Sequence, residues 1–354
     1  MRAFDRLQDS LSSRMRRNYD GCMAQPPAGP APFDTLTEAL GGLYVGLCLT
    51  SVARFKVADA LGDTPRTVAE LAADTGVDPG ALRRVLRLLA AHGVFACGED
   101  SVAHTAASQL LRGDHPYSMR DFVAMVGAAP EVFGYVDYTL QTGTPAYYKV
   151  HPGGLFGLLQ ANPELGQLFN RGMSSKARLQ IASVTAAYDF SASGSVADIG
   201  GGLGHLLQAV LDAAPRATGV LFDLPAVIEN AAAAASDRLS LQAGDFFTGP
   251  LPAAGTYLIM DVIHDWDDEQ AAALLSAVRK AALPQARALV IENILADVPG
   301  PDYSKINDIV MLFATGGRQR SRGEHERLLN SAGWRLERVI PTMSDASVIE
   351  AVPA

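Results

Sequence analysis

From about residue 194 the chain alternates short apolar runs with stretches of helical period. The apolar runs fall at 195–199, 219–223, 239–242, 256–262 and 287–293. Strand and helix in alternation predict a doubly wound α/β sheet with parallel strands. Two further runs, 334–340 and 347–352, have only a turn between them. They predict an antiparallel hairpin at the sheet edge.

The N-terminal half reads differently. Leu36, Leu40, Leu43 and Leu47 share a stripe on a helix predicted over 34–61. Gly41, Gly42 and Gly46 interrupt it and leave room for another backbone. Thr67 and Glu70 form a capping box at the start of a short helix that ends near Gly76. Asp78-Pro79-Gly80 makes a turn, a second helix carries Leu82, Val85, Leu86 and Leu89, and Gly93 stops it. Residues 94–105 fit a β wing. The unit is a helix-turn-helix with a wing. Residues 116–188 read as mainly helical and aromatic-rich, a bridge between the halves.

Composition narrows the function. The chain has 354 residues, enough for two domains. Its formal net charge is −9, which argues against a nucleic acid partner. Within the winged unit, Glu70, Asp74 and Asp78 balance Arg83, Arg84 and Arg87, whereas phosphate binding needs a basic surplus on one face. Dimerisation suits the unit better than DNA binding. Three cysteines without a C-x-x-C spacing fit a reducing cytoplasm. The Arg-rich first residues lack a signal-type apolar core. The longest apolar stretch, 40–52, is too short for a bilayer, so no membrane association is expected.

The chemistry is concentrated after residue 195. Asp198 precedes a turn with Gly200, Gly201, Gly202 and Gly204, and a helix follows. Glycines let a ligand approach the backbone, and the helix N-terminus presents N–H groups to it. The dinucleotide spacing G-x-G-x-x-G fails, because His205 occupies its third glycine position. Asp223 ends the next strand, roughly 20 residues further on, where a ribose-binding acid belongs. It is also suited to a turn before Pro225. Gly244-Asp245-Phe246 ends the third strand. Asp245 can bond an adenine amino group and Phe246 can cover its face, or Phe246 can pack in the core. Strand four delivers His264 and Asp265 to the carboxyl edge of the sheet, where ligands of such folds bind. Histidine is a general base suited to a phenolic proton. Asp261, Asp265, Asp267 and Asp268 near it do not converge as metal ligands would, so no metal is expected. Asp267 and Asp268 suit a helix N-terminus.

These residues, in order, resemble the S-adenosylmethionine-dependent O-methyltransferases of the caffeate type, including bacterial antibiotic-tailoring members. The resemblance rests on Asp198-x-Gly-x-Gly-x-Gly, Phe222-Asp-Leu-Pro225, Gly244-Asp-Phe-Phe247, His264-Asp-Trp-x-Asp-Glu269, Glu292 and Gly316-Gly317. It implies a Rossmann-like methyltransferase sheet behind a winged-helix homodimerisation domain. It implies S-adenosylmethionine as methyl donor, S-adenosylhomocysteine as product, and no metal. His264 is then the general base, with Glu292 orienting it and Asp265 beside it. The cofactor set is Asp198, Gly200, Gly202, Asp223, Leu224, Gly244, Asp245, Phe246 and Met260. Phe169 and Met173 resemble residues of a covering helix that touch the aromatic acceptor, and core packing serves them equally. Asn307 and Met311 are assigned to the same pocket. The chain departs from the family at Gln319, where an acid is usual.

The expected organisation is an arm over 1–33, a winged-helix dimerisation domain over 34–115, a helical, substrate-lining bridge over 116–188 and a catalytic domain over 189–354. The expected activity is methylation of an aromatic hydroxyl in natural product metabolism, in the cytoplasm. N- or C-methylation, a non-methylating reaction on the same cofactor, and a ligand-sensing regulator are the alternatives. The sequence does not name the acceptor.

Overall fold

A computed structural model describes residues 32–354. The expected arm falls outside these residues, apart from its last two positions, which begin the first helix. The chain clusters into two compact units, one ending at Leu47 and one running from Cys48.

The expected helix over 34–61 is two helices, Pro32–Arg54 and Val57–Leu61. The break is at Lys56, whose φ of 54° lies in the left-handed region and cannot continue a right-handed helix. Gly41, Gly42 and Gly46 lie inside the first helix without breaking it, and a Cβ on any of them would meet nothing within 4 Å. Phe33, Leu36, Leu40, Leu43, Tyr44 and Leu47 are exposed along it. By length and composition this 23-residue helix is apolar enough to cross a bilayer. The helix extends beyond the apolar run 40–52 at both ends.

The winged unit follows the reading closely. Thr67 and Glu70 close both bonds of the capping box before helix Val68–Thr75. Asp78 caps helix Pro79–Ala91, with Pro79 in its first turn. The wing is β1, Phe95–Cys97, paired antiparallel with β2, Val102–His104.

The main sheet contains β3 (Ser195–Ile199), β4 (Thr218–Asp223), β5 (Leu239–Ala243), β6 (Thr256–Met260), β7 (Arg287–Glu292), β8 (Trp334–Pro341) and β9 (Ser347–Pro353). Its order is β5-β4-β3-β6-β7-β9-β8. β3 to β7 run parallel, and the β8–β9 hairpin joins antiparallel through β9. β6 ends at Met260, two residues before the expected limit, because Asp261 turns with a φ of 52°.

Alternate side chains of the strands enter separate cores. Ala197, Ile199, Tyr257 and Ile259 pack with Leu274, Leu275 and Val278 of helix Asp268–Ala281. Val196, Leu258, Leu289 and Ile291 pack on the other face with Leu206, Leu207 and Val210 of helix His205–Ala213. Ile181 and Val184, from the long helix Pro163–Ala187, join the second core. Each fully buried branched side chain contributes about 1.5–3 kcal/mol. The two layers hold the strand ends, and hence the residues that follow them, in fixed positions.

Candidate active site

β3 ends in the glycine turn. Gly200, Gly202 and Gly204 have φ of 69°, 60° and 80°, angles that L side chains rarely adopt. Gly201 is needed for space, because a Cβ there would lie 2.5 Å from Asp198 Oδ2. Asp198 is buried, and its Oδ2 has no partner among the described residues. Burial, helped by the Asp223 carboxylate, pushes its pKa up to about 7. A buried acid with an unused oxygen needs a ligand group that donates to it. It lines a cavity of about 250 Å³ together with Gly200, Gly201, Gly202, Met260, Asp261 and Met173.

Asp223 is tied to the same turn. Its Oδ2 accepts from the Gly202 N–H at 2.8 Å, and its Oδ1 from the Leu224 N–H at 2.7 Å. Each oxygen keeps a further lone pair for a ligand hydroxyl. Asp245 Oδ1 accepts from the Phe247 N–H at 2.8 Å. Phe246 packs edge-on against Trp266, with ring centroids 5.8 Å apart. Asp198, Gly200, Gly202 and Met260 line the cavity, whereas Asp223, Leu224, Gly244, Asp245 and Phe246 lie outside its lining. The buried orphan oxygen and the glycine cradle fit the methionine end of S-adenosylmethionine, and the strand-end acids fit its ribose and adenine.

After Asp261 a short 3-10 turn, Ile263–Asp265, buries His264. Glu292, the last residue of β7, organises this turn. Its Oε1 accepts from the Val262 N–H at 3.1 Å and the His264 N–H at 3.3 Å. Its Oε2 accepts from His264 Nδ1 at 2.5 Å. The carboxylate thus fixes both the backbone and the ring orientation, so that Nε2 is the nitrogen that gains and loses the proton. Burial opposes charge on the imidazole, but Glu292, with Asp265 and Asp261, outweighs it and pushes the pKa up to about 9. Asp265 Oδ1 lies 3.9 Å from Nε2. Burial pushes the Asp265 pKa up to about 6.

Gly316 and Gly317 come before helix Arg322–Ser331, and the Arg318 N–H donates to the His264 carbonyl at 2.8 Å. Gln319 is buried, with no partner for its side-chain amide. Asn307 and Met311 share helix Tyr303–Ala314. Asn307 is buried with its Nδ2 unpartnered, and Met311 is half-buried. Neither they nor the half-buried Phe169 line the cavity, whereas Met173 does. Asp267 caps helix Asp268–Ala281 through the Gln270 N–H.

One grouping was not foreseen. Ligand atoms of Asp261, His264 and Glu292 lie within 4.8 Å of one another. Lys176 Nζ already donates to Asp261 Oδ2 at 2.8 Å, so an ammonium supplies the cation there. No metal is assigned to the group. Asn170 and Ser174 also line the cavity, and Lys176 lies on the same helix, three residues whose roles the motifs do not mark. The signal was present: Phe169, Met173 and Lys176 follow one another at i, i+4 and i+7, so a lysine continues an inward-facing stripe.

A family model described as an O-methyltransferase domain matches residues 133–335. A second, an O-methyltransferase dimerisation domain, matches residues 37–114. A phenazine O-methyltransferase of Lysobacter antibioticus is 36% identical over 335 residues, covering 92% of this chain and 98% of its own. An 8-amino-8-demethylriboflavin N,N-dimethyltransferase of Streptomyces davaonensis is 34% identical, covering 87% of this chain and 92% of its own. The solved structure of a methyltransferase of calicheamicin biosynthesis, with S-adenosylhomocysteine bound, superposes with a TM-score of 0.83 at 34% identity. It covers 90% of this chain and 97% of that one.

Proposed function

The chain belongs to the O-methyltransferase family, with a dimerisation domain ahead of its catalytic domain, and on that premise we propose that His264 is the general base of methyl transfer. The enzyme is an S-adenosylmethionine-dependent O-methyltransferase of secondary metabolism, acting on an aromatic small molecule. The observation that carries the role of His264 is its bond to Glu292, which commits Nδ1 and leaves Nε2 as the proton-exchanging nitrogen at the carboxyl edge of the sheet.

Bound S-adenosylmethionine supplies an electrophilic methyl group on a positively charged sulfur. The chain has to position the acceptor and receive its proton. A phenol with pKa about 10 faces an unperturbed histidine across about 3.5 units, or roughly 5 kcal/mol. Raising the imidazole pKa to about 9 cuts the transfer gap to about one unit, or roughly 1.4 kcal/mol, for the neutral ring, which near pH 7 forms by losing its own proton at a cost of about two units, or roughly 3 kcal/mol. Glu292 stabilises the imidazolium that forms, and Asp265 adds a second nearby carboxylate. Asp198, Gly200, Gly202 and Met260 hold the methionine end of the cofactor, Asp223 and Leu224 its ribose, and Gly244, Asp245 and Phe246 its adenine. Phe169, Met173, Asn307 and Met311 hold the acceptor. The exposed leucine stripe of helix Pro32–Arg54 is the homodimer interface, and the free thiols of Cys48 and Cys97 suit a cytoplasmic location.

The amine-methylating riboflavin relative favours one second reading, transfer to nitrogen. One experiment separates the two. A panel of phenolic, quinonoid and amino-aromatic metabolites is incubated with methyl-labelled cofactor, and the products are mapped. Label on oxygen, with S-adenosylhomocysteine formed in equal amount, is the expected result. Label on nitrogen alone contradicts it.

A further inference from the structure

Lys176 continues the stripe of Phe169 and Met173 on the long helix Pro163–Ala187, and it is 8% exposed. Its Nζ reaches Asp261 Oδ2 at 2.8 Å. The other oxygen of Asp261 has no hydrogen-bond partner and lies 3.9 Å from His264 Nδ1. Asp261 also holds a left-handed backbone conformation, with φ of 52°, which non-glycine residues seldom adopt. Desolvation offsets much of the attraction in a buried ion pair. A mere tie between helix and loop could be made by apolar contact. The position of this pair, three residues before the base, gives it another use.

We propose that Lys176 and Asp261 are positioning residues that set the basicity of His264, with Asp261 acting through space and Lys176 acting through Asp261. The consequence for turnover rests on the reading of His264 as the base. The effect on the imidazole does not, and it can be measured without turnover.

The charges around the ring explain the need. Glu292 faces it from β7, and Asp261 and Asp265 from its own loop. Arg320 donates to the Ile263 carbonyl at 2.9 Å, but its charge is paired with Asp268. Arg318 is paired with Glu324. His325, on helix Arg322–Ser331, is held neutral by burial, with its pKa pushed down to about 4. With Glu292, Asp265 and Asp261 around it the imidazole pKa already stands at about 9, and a fully uncompensated Asp261 would make the ring hold its proton more tightly still. Burial works against the charge on Asp261, and the Lys176 ammonium overcomes this and holds its pKa below the usual carboxylate range. Burial likewise opposes the charge on Lys176, and Asp261 raises its pKa in return. The ammonium therefore keeps Asp261 ionised and opposes its field at His264.

The test is an NMR titration of the His264 ring in the cofactor-free protein, assigned by its disappearance in His264→Ala. Asp261→Asn keeps a residue that tolerates the left-handed turn. It removes the carboxylate and uncovers the ammonium, so the His264 titration is expected to fall by about one unit or more. Adding Lys176→Met removes the ammonium too, and the titration is expected to recover by about half a unit or more. The acidic limb of the kcat/KM profile should move with the ring in both variants. If Asp261→Asn leaves the titration within 0.3 units of the parent, with near-UV circular dichroism unchanged, the proposal is overturned. If the double variant titrates together with Asp261→Asn, the part assigned to Lys176 is overturned. If the ring shifts and the kcat/KM limb stays, the tuning stands and the base assignment fails.

Discussion

Gly317 carries no side chain because the His264 carbonyl oxygen fills the space where one would be. A Cβ on Gly317 would lie 1.9 Å from that oxygen and 2.5 Å from the Asp265 carbonyl carbon. These are backbone atoms and cannot swing aside. Gly317→Ala should therefore displace the loop that holds the base. Overpacking of this kind costs about 1–3 kcal/mol. Chemical denaturation should register that loss, and kcat should fall at least 10-fold through the displaced imidazole. Unchanged kcat would mean that the loop tolerates movement.

Glu292 accepts from two backbone N–H groups and from the His264 ring. Glu292→Gln keeps the shape and removes the charge that stabilises imidazolium. Its expected effect is a kcat at least about 10²-fold lower, the lower end of what a general base contributes. The acidic limb of the pH profile should also move down, because loss of a neighbouring negative charge lowers a histidine pKa. An unmoved limb would show that Glu292 acts by shape alone.

The cofactor-free protein should also show the His264 proton in its stability. The folded pKa is about 9, above the unfolded value of about 6.5. Binding of that proton favours the folded state, so the contribution is complete below about pH 6.5 and is lost as the pH rises through about 9. The loss is on the order of 3 kcal/mol. Urea unfolding across pH 6 to 10 should show this decline in the parent protein and lack it in His264→Ala. A flat profile in the parent protein would mean that the imidazole is not charged in the folded state.

Asp198 lines the cavity and keeps one buried carboxylate oxygen without a partner among the described residues. Isothermal titration calorimetry should find S-adenosylmethionine binding at least 10-fold weaker in Asp198→Asn. In the parent protein, affinity should decline as the pH falls below about 7, where this acid takes up a proton. An Asn variant that binds as tightly as the parent would remove Asp198 from the cofactor site.

Much of this was legible in the chain. The period-two and helical patterns gave all seven main strands within about two residues, since strand ends bounded by Gly, Asp and Pro are marked locally. The positions of the glycine turn, Asp223 and Glu292 at strand ends, and of His264 in the turn after β6, were legible because strand ends are marked locally. What was not legible depended on contacts between distant segments. Lys176 reads as one lysine on a helix until Asp261, 85 positions away, is brought to it. The break at Lys56 and the early end of β6 at Asp261 both turn on a left-handed residue other than glycine, which leaves little mark in a hydrophobic pattern. Asn307 and Met311 share a helix, but the sequence does not tell which way it faces.

The central claim is that His264 takes the acceptor's proton. The most direct measurement is the single-turnover rate of methyl transfer by His264→Ala, with an acceptor identified from the labelled panel, at neutral pH and saturating cofactor. The expected rate is about 10²–10⁴-fold below the parent, with S-adenosylmethionine affinity retained. A rate within a few fold of the parent would contradict it.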